Sequence, residues 1–198
     1  IAFNDTTLLQ SGQTTNIFPA SNDPIDFSSC SIVTYPNIGT ATLVNPTTCE
    51  IMYMSVLNNV STQYVEYQIC DTSTTFGPFC TTAWIVIGVV NGPIAIFDAA
   101  FTTKDVNVLI PVLSNDVMRT YPFFPSATTI ETDPSGGTIV GINPSTGVVT
   151  YDPNPDFCGM DMFEYRVVDT VGFFDTAIVN VTVDCPPIAV DDGSMAMT

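Results

Sequence analysis

Three stretches of this chain open alike. "IAFNDTT" begins at Ile1, "IAIFDAA" at Ile94 and "IAVDDGS" at Ile188, a spacing of 93 and then 94 residues. A near-constant period of that length marks tandem domains. It leaves the chain little freedom, because 198 residues then divide into two units close to the commonest domain size, each large enough to enclose its own core. The expected bounds are 1–92 and 93–187, with 188–198 as the opening strand of a further repeat. The period holds away from the ends. "SND" at 21–23 returns at 114–116, Glu66-Tyr67 and Asp71-Thr72 return as Glu164-Tyr165 and Asp169-Thr170 at an offset of 98, and Thr82-Ala83 returns as Thr176-Ala177 at 94. The first unit's last hairpin loop is therefore the longer one, and Cys70 and Cys80 flank its extra length.

Within the repeat the hydrophobic period is two. "VEYQICDT" (65–72) puts Val65, Tyr67 and Ile69 on one face and Glu66 and Gln68 on the other. "FEYRVVDT" (163–170) repeats this with Phe163, Tyr165 and Val167, and "DTAIVNVTV" (175–183) sends Val179, Val181 and Val183 inward and Asn180 and Thr182 outward. Such stretches, punctuated by 15 Pro and 12 Gly, predict an all-β chain of two tandem antiparallel β-sandwiches. No amphipathic helical pattern competes with them.

Charge excludes one large class of function. Twenty acidic residues against three basic ones, with no histidine, leave a net charge of −17. Nucleic-acid binding rests on clustered Lys and Arg that release counterions, so neither nucleic acid nor an anionic lipid surface is an expected partner. No apolar run of membrane-spanning length occurs, and the initial Ile reads as the start of a processed or excised piece.

The six cysteines are paired by position. Cys70 and Cys80 flank "DTSTTFGPF", Cys158 and Cys185 are centred on the turn-like "DTVGFFD", and Cys30 and Cys49 on "PNIG". Symmetry about three expected hairpin turns predicts the bridges 30–49, 70–80 and 158–185, each between adjacent strands. The four cysteines of the first half still allow three connectivities. Free thiols in a reducing compartment are the alternative, but CxxC spacing and a partnering His are both missing. Disulfides point to an oxidising, extracellular setting.

"VTYDPNPDFCGMDMFEYRVVDTVGFFDTAIVNVTV" (149–183), preceded by "VLSND" and followed by "PPIAVDD", resembles the immunoglobulin-like and bacterial cadherin-like repeats of large surface adhesins and secreted multidomain proteins. The Tyr-x-Pro-Asn-Pro-x-Phe-x-Gly-x-Asp-x-Phe-x-Tyr pattern is complete there. In the first unit "CEIMYMSVLNNVSTQYVEYQICD" (49–71) keeps the strand but lacks the Pro-Asn-Pro and the Gly. The resemblance implies immunoglobulin-like sandwiches acting as extracellular scaffold or adhesive modules, in some cases stiffened by calcium at domain junctions, and no catalyst. Independently, a chain without His has no Ser-His-Asp or Cys-His device, and paired cysteines supply no thiolate.

Two uses of the polar residues follow. Asp5, Asp98 and Asp192 share one repeat position, Asp23 and Asp116 a second, and Asp71 and Asp169 a third, with Asp191 adding a carboxylate; together they are the candidate calcium ligands. The competing reading is a set of turn formers bonding their own backbone. Asn4, Asn59 and Asn180 each open an N-x-Ser/Thr acceptor triplet, so glycans are candidate attachments, although a Thr- and Asn-rich chain also produces such triplets by chance.

One strand breaks its pattern. In "TTAWIVIGVV" (81–90) Ile85, Ile87 and Val89 face the core, yet the alternate positions carry Trp84 and Val86. A strand apolar on both faces is expected to be covered on both, so Trp84 and Val86 are candidate subunit-contact residues, with a singly exposed Trp as the alternative. Ile188 and Val190 of the closing segment complete that contact if the segment is donated to the next copy as a complementing strand. A heterologous contact of that kind does not close, and would build a filament of copies of the chain. The second reading is a ligand-binding tandem module of a cell-surface adhesin, with Tyr121, Phe123 and Phe124 of "RTYPFFPSATT" (119–129) stacking on sugar or plugging a domain gap. A third is an accessory domain of a carbohydrate-acting enzyme.

Overall fold

The computed structural model describes residues 1–24, 26–72 and 78–185. Two compact units are present, one from Ile1 to Gly92 and a second beginning at Pro93. The first contains β1 (Asp5–Gln10), β2 (Thr14–Ile17), β3 (Ser29–Thr34), β4 (Thr40–Asn45), β5 (Glu50–Met54), β6 (Ser61–Asp71) and β7 (Phe79–Val90). Its sheets have the orders β1-β7-β6-β3 and β2-β5-β4. The second contains β8 (Asp98–Thr103), β9 (Val108–Ile110), β10 (Thr129–Thr132), β11 (Gly137–Ile142), β12 (Val149–Pro153), β13 (Gly159–Val168) and β14 (Phe174–Asp184). Its orders, β8-β14-β13-β10 and β9-β12-β11, repeat the same plan strand for strand. The chain is all-β, two tandem immunoglobulin-like sandwiches. The helical segments among the described residues are single 3-10 turns at Pro19–Asn22 and Pro125–Ala127.

The period-two segments land as their side chains require. Val65, Tyr67 and Ile69 of β6 and Ile85 and Ile87 of β7 are fully buried, and Phe163, Tyr165, Val167, Val179 and Val181 take the equivalent places on β13 and β14. Fully burying side chains of this size contributes about 1.5–3 kcal/mol each. The two long hairpins therefore anchor one core apiece.

One pairing in each unit departs from a purely antiparallel sandwich. β1 runs parallel to β7 and β8 parallel to β14, with Asp5 opposite Ile85 and Asp98 opposite Val179. Six reversals separate a unit's first strand from its seventh, so the two point the same way and can only pair in parallel. Each opening strand thus closes the sheet of its own unit.

The bridges are Cys30–Cys49, Cys70–Cys80 and Cys158–Cys185. Cys70 and Cys80 face one another across the β6–β7 ladder, and Cys158 and Cys185 tie the open end of the β13–β14 hairpin. Cys30–Cys49 corrects the hairpin expectation. The turn at "PNIG" carries the chain from β3 in one sheet to β4 in the other, so this bridge joins the two sheets through the core, where Cys49 is wholly buried.

The expected orphan strand at 188–198, with Ile188, Val190, Asp191 and Asp192, lies outside the described residues.

Candidate functional site

The repeat builds the same polar cluster at the same end of each unit. In the second, the Tyr165 hydroxyl donates to Asp116 Oδ1 at 2.8 Å and lies 3.0 Å from the Val112 carbonyl and 3.2 Å from that of Ile96. Asp116 also accepts from the Ile96 amide at 2.7 Å. In the first, the Tyr67 hydroxyl donates to Asp23 Oδ2 at 3.0 Å, and Asp23 accepts from the Phe3 amide at 2.7 Å. Asp5 and Asp98 are drawn against these pairs by their strands. Asn22 donates to Asp5 at 3.0 Å, while Asp5 Oδ2, Asp98 Oδ2 and Asp116 Oδ2 are buried without a hydrogen-bond partner.

Those orphaned oxygens shift their acids. Burial, followed by the neighbouring Asp23, pushes Asp5 up to about 6 against the pull of Tyr67 and Asn22. Burial likewise pushes Asp98 up to about 6, with Asp116 adding to it and Tyr165 and Asn115 opposing. Asp116 is raised too, chiefly by burial. Both tyrosines are held well above the ordinary phenol range by burial and by the carboxylates they serve.

The clusters bring together four of the expected calcium ligands, Asp5 with Asp23 and Asp98 with Asp116. The third repeat position does something else. Asp169 is buried and its Oδ1 accepts from the amides of Val171 and Phe173 at 3.0 and 2.9 Å, which shapes the β13–β14 turn. Asp71 ends β6, opposite Phe79. Among the described residues no group of three or more His, Cys, Asp or Glu side chains is gathered as a metal ion would need.

The acceptor asparagines are all at the surface or near it. Asn4 is exposed beside β7, and its Oδ1 accepts from the Trp84 amide at 3.0 Å. Asn59 lies in the β5–β6 loop and accepts from Ser61 of its own triplet at 2.7 Å. Asn180 is half-buried on the outward face of β14, between Met162 and Ala99.

The aromatic candidates divide. Phe123 packs against the second core, Tyr121 is half-buried and Phe124 is exposed, so the 119–129 loop presents no shared ring platform. Trp84 is 37% exposed on the outward face of β7, with Val86 half-buried next along that face. Sequence reasoning singled out this Trp but missed its neighbour. Tyr64, on β6, meets Trp84 edge to face with ring centroids 6.4 Å apart. The period-two alternation that placed Val65 inward placed Tyr64 outward beside it.

Residues 91–182, which take in most of the second unit, match the family model described as a bacterial Ig domain. Among solved structures, the chain is similar to extracellular cadherin domains 1–4 of protocadherin gamma B7, at 13% identity over 92% of this chain and 49% of that one, with a TM-score of 0.32. It is also similar to an endo-fucoidan hydrolase of glycoside hydrolase family 107, at 11% identity over 90% of this chain and 32% of that one, TM-score 0.35. Likeness at that level carries no argument about activity, and the chain spans about half or less of the length of these structures. No curated protein matches the chain.

Proposed function

We propose that the chain is a non-catalytic, extracellular segment of immunoglobulin-like repeats from a cell-surface adhesin, serving as a contact module. The observation that carries this reading is the duplicated, self-completed sandwich. Both units close their sheet with their own opening strand and bury the same tyrosine-carboxylate cluster beside it, so each is a finished body suited to stacking in series. Three disulfides support an oxidising exterior. The carboxylates of Asp23, Asp116 and Asp169 accept from backbone amides, which suits a structural role for these acids.

A filament joined by strand complementation is the second reading, favoured by the third copy of the opening motif at Ile188. In both described units the place beside the last strand is already taken, by β1 and by β8. Complementation would then require 188–198 to displace an opening strand of a second copy. Light scattering with negative-stain imaging of the full chain and of a form ending at Cys185 decides between them. We expect both to remain monomeric on dilution. Fibres formed by the full chain and lost with the truncation would establish the filament and overturn the module reading.

A further inference from the structure

The two units share their scaffold down to individual buried contacts, which makes the places where they differ informative. Beneath the loop after β3, the Ile38 amide donates to buried Gln63 at 2.9 Å. At the matching place the Gly136 amide donates to buried Asp161, also at 2.9 Å. Tyr53 and Tyr151 sit under the same turn in the two units, their hydroxyls bonded to the Ile38 carbonyl and to Asp161. Above this shared floor the outward faces diverge. Unit one presents Trp84, Tyr64, Tyr35, Asn37 and Asn4; the repeat puts Ile178, Met162, Asp133, Ser135 and Phe97 in their places. In unit one the face holds a groove of about 480 Å³ lined by that set with Thr34 and Val86. At the matching place in unit two lies a depression of about 180 Å³, lined in part by Met162, Ile178 and Glu164, while a cleft of about 530 Å³ on that unit is displaced to the ends of β8 and β14, at Phe101, Thr182 and Asp184.

We propose that this groove on the β1-β7-β6-β3 sheet is a binding site for an uncharged saccharide chain. Its walls come from the two edges of the sheet, Asn4 just before the edge strand β1 and the Tyr35–Asn37 loop after the edge strand β3, so a ligand lies across the strands. Three strand spacings amount to about 14 Å, room for a short oligosaccharide rather than a single ring. The rings are the apolar half of the recognition. Trp84, Tyr64 and Tyr35 offer faces and edges to the C–H face of a pyranose, and all three are partly or largely exposed, Tyr35 by 62% and Tyr64 by 52%. The amides are the polar half. Asn4 is held in place by the Trp84 amide through its Oδ1, which leaves its NH₂ to donate, and the Asn37 amide is exposed with both donor and acceptor available. An amide presents donor and acceptor side by side, as adjacent sugar hydroxyls require. Glu66 lies in the strand row between Trp84 and Thr34, where it accepts from the Thr34 hydroxyl at 2.9 Å, and together with the chain's charge of −17 it repels acidic sugars, so the ligand is neutral. All seven residues that line the groove belong to unit one.

The test uses a reporter already in place, because Trp84 is the only tryptophan of the chain. The full chain, produced with its disulfides in a host that does not glycosylate Asn4, is titrated by tryptophan fluorescence. The probes are cello-, xylo- and N-acetylchito-oligosaccharides, with alginate oligosaccharides as the acidic control. The expected result is a saturable change with at least one neutral series and none with alginate. Tyr64→Ala and Asn37→Ala should each weaken it about tenfold, the loss of one good contact. Met162→Ala on unit two should leave it unchanged, and melting curves confirm that each variant is folded. No saturable change up to about 10 mM of any neutral probe, weaker than any useful recognition, overturns the proposal. A Trp84 signal that instead depends on protein concentration in the absence of sugar also overturns it, and assigns the face to a second copy of the chain.

Discussion

If the paired acids at the head of each unit are starved of partners, mild acid should stabilise this protein. Asp98 illustrates the size of the effect. Its carboxyl is raised from an ordinary 3.8 to about 6, first by burial and then by Asp116. The folded state therefore holds the proton more tightly than the unfolded chain does, and stability grows as pH falls through about 6, levelling off near 4. The full gain across that window is at most about 3 kcal/mol at about 1.36 kcal/mol per pH unit. At about pH 5 roughly half of it has been collected, and solvent screening of a partly exposed site trims it to about 1 kcal/mol. For a unit of this size that raises the melting temperature by about 4–8 °C relative to about pH 7.5. Asp5 predicts the same for the first unit. Because the whole chain carries a charge of −17, acid also relieves general repulsion, so the decisive measurement is made on variants. Differential scanning calorimetry of Asp98→Asn and Asp5→Asn should show the affected unit melting higher at neutral pH and responding less to acid. A variant that melts lower at neutral pH, or keeps the whole acid response, refutes the reasoning. So does a rise in the wild-type neutral melting temperature with millimolar calcium that abolishes the acid gain, since a cation would then be doing what the proton is argued to do.

Two further tests probe the scaffold. A Cβ at Gly137 would sit 2.3 Å from the Tyr151 ring, which cannot retreat while its hydroxyl holds Asp161 at 2.8 Å, whereas a Cβ at Gly141 meets nothing within 4 Å. Gly137→Ala should destabilise the second unit by about 1–3 kcal/mol and Gly141→Ala should not, read by chemical denaturation. Among the bridges, Cys30–Cys49 closes a 19-residue loop through the core, while Cys70–Cys80 closes 10 residues between strands already paired, with Cys80 exposed. Alkylation mapping under mild reductant should find Cys70–Cys80 opening first, and replacing Cys30 and Cys49 by Ala should cost about 3 kcal/mol, more than the same change at Cys70 and Cys80.

What could be read from the residues, and what could not, divides along the range of the interactions. The strands at 65–72, 163–170 and 175–183 were legible because a period of two reports directly on which side chains face the core, and Val65, Tyr165 and Val181 are buried accordingly. The repeat made the clusters half visible. Asp5 and Asp98 could be placed at equivalent positions, but not beside Tyr67 and Tyr165, whose hydroxyls reach them from strands 60 or more residues away in the chain. The hairpin rule failed at Cys30–Cys49 for a related reason. A turn such as "PNIG" looks the same whether the next strand pairs with the last one or crosses to the opposite sheet, and only the packing of both sheets around one core decides it. The groove was hidden in the same way. Trp84 stood out as a lone anomaly because strand alternation is local, while Tyr35, Tyr64 and Asn4 reach it across sheet neighbours that no single stretch of sequence announces. A two-fold repeat supplies what a single unit cannot, since positions that agree between the units, such as Tyr53 and Tyr151, belong to the framework both must build. Positions that disagree on a shared face, such as Trp84 and Ile178, are free of that duty. Specialised contacts in tandem sandwiches are therefore best sought where the copies diverge above an unchanged floor.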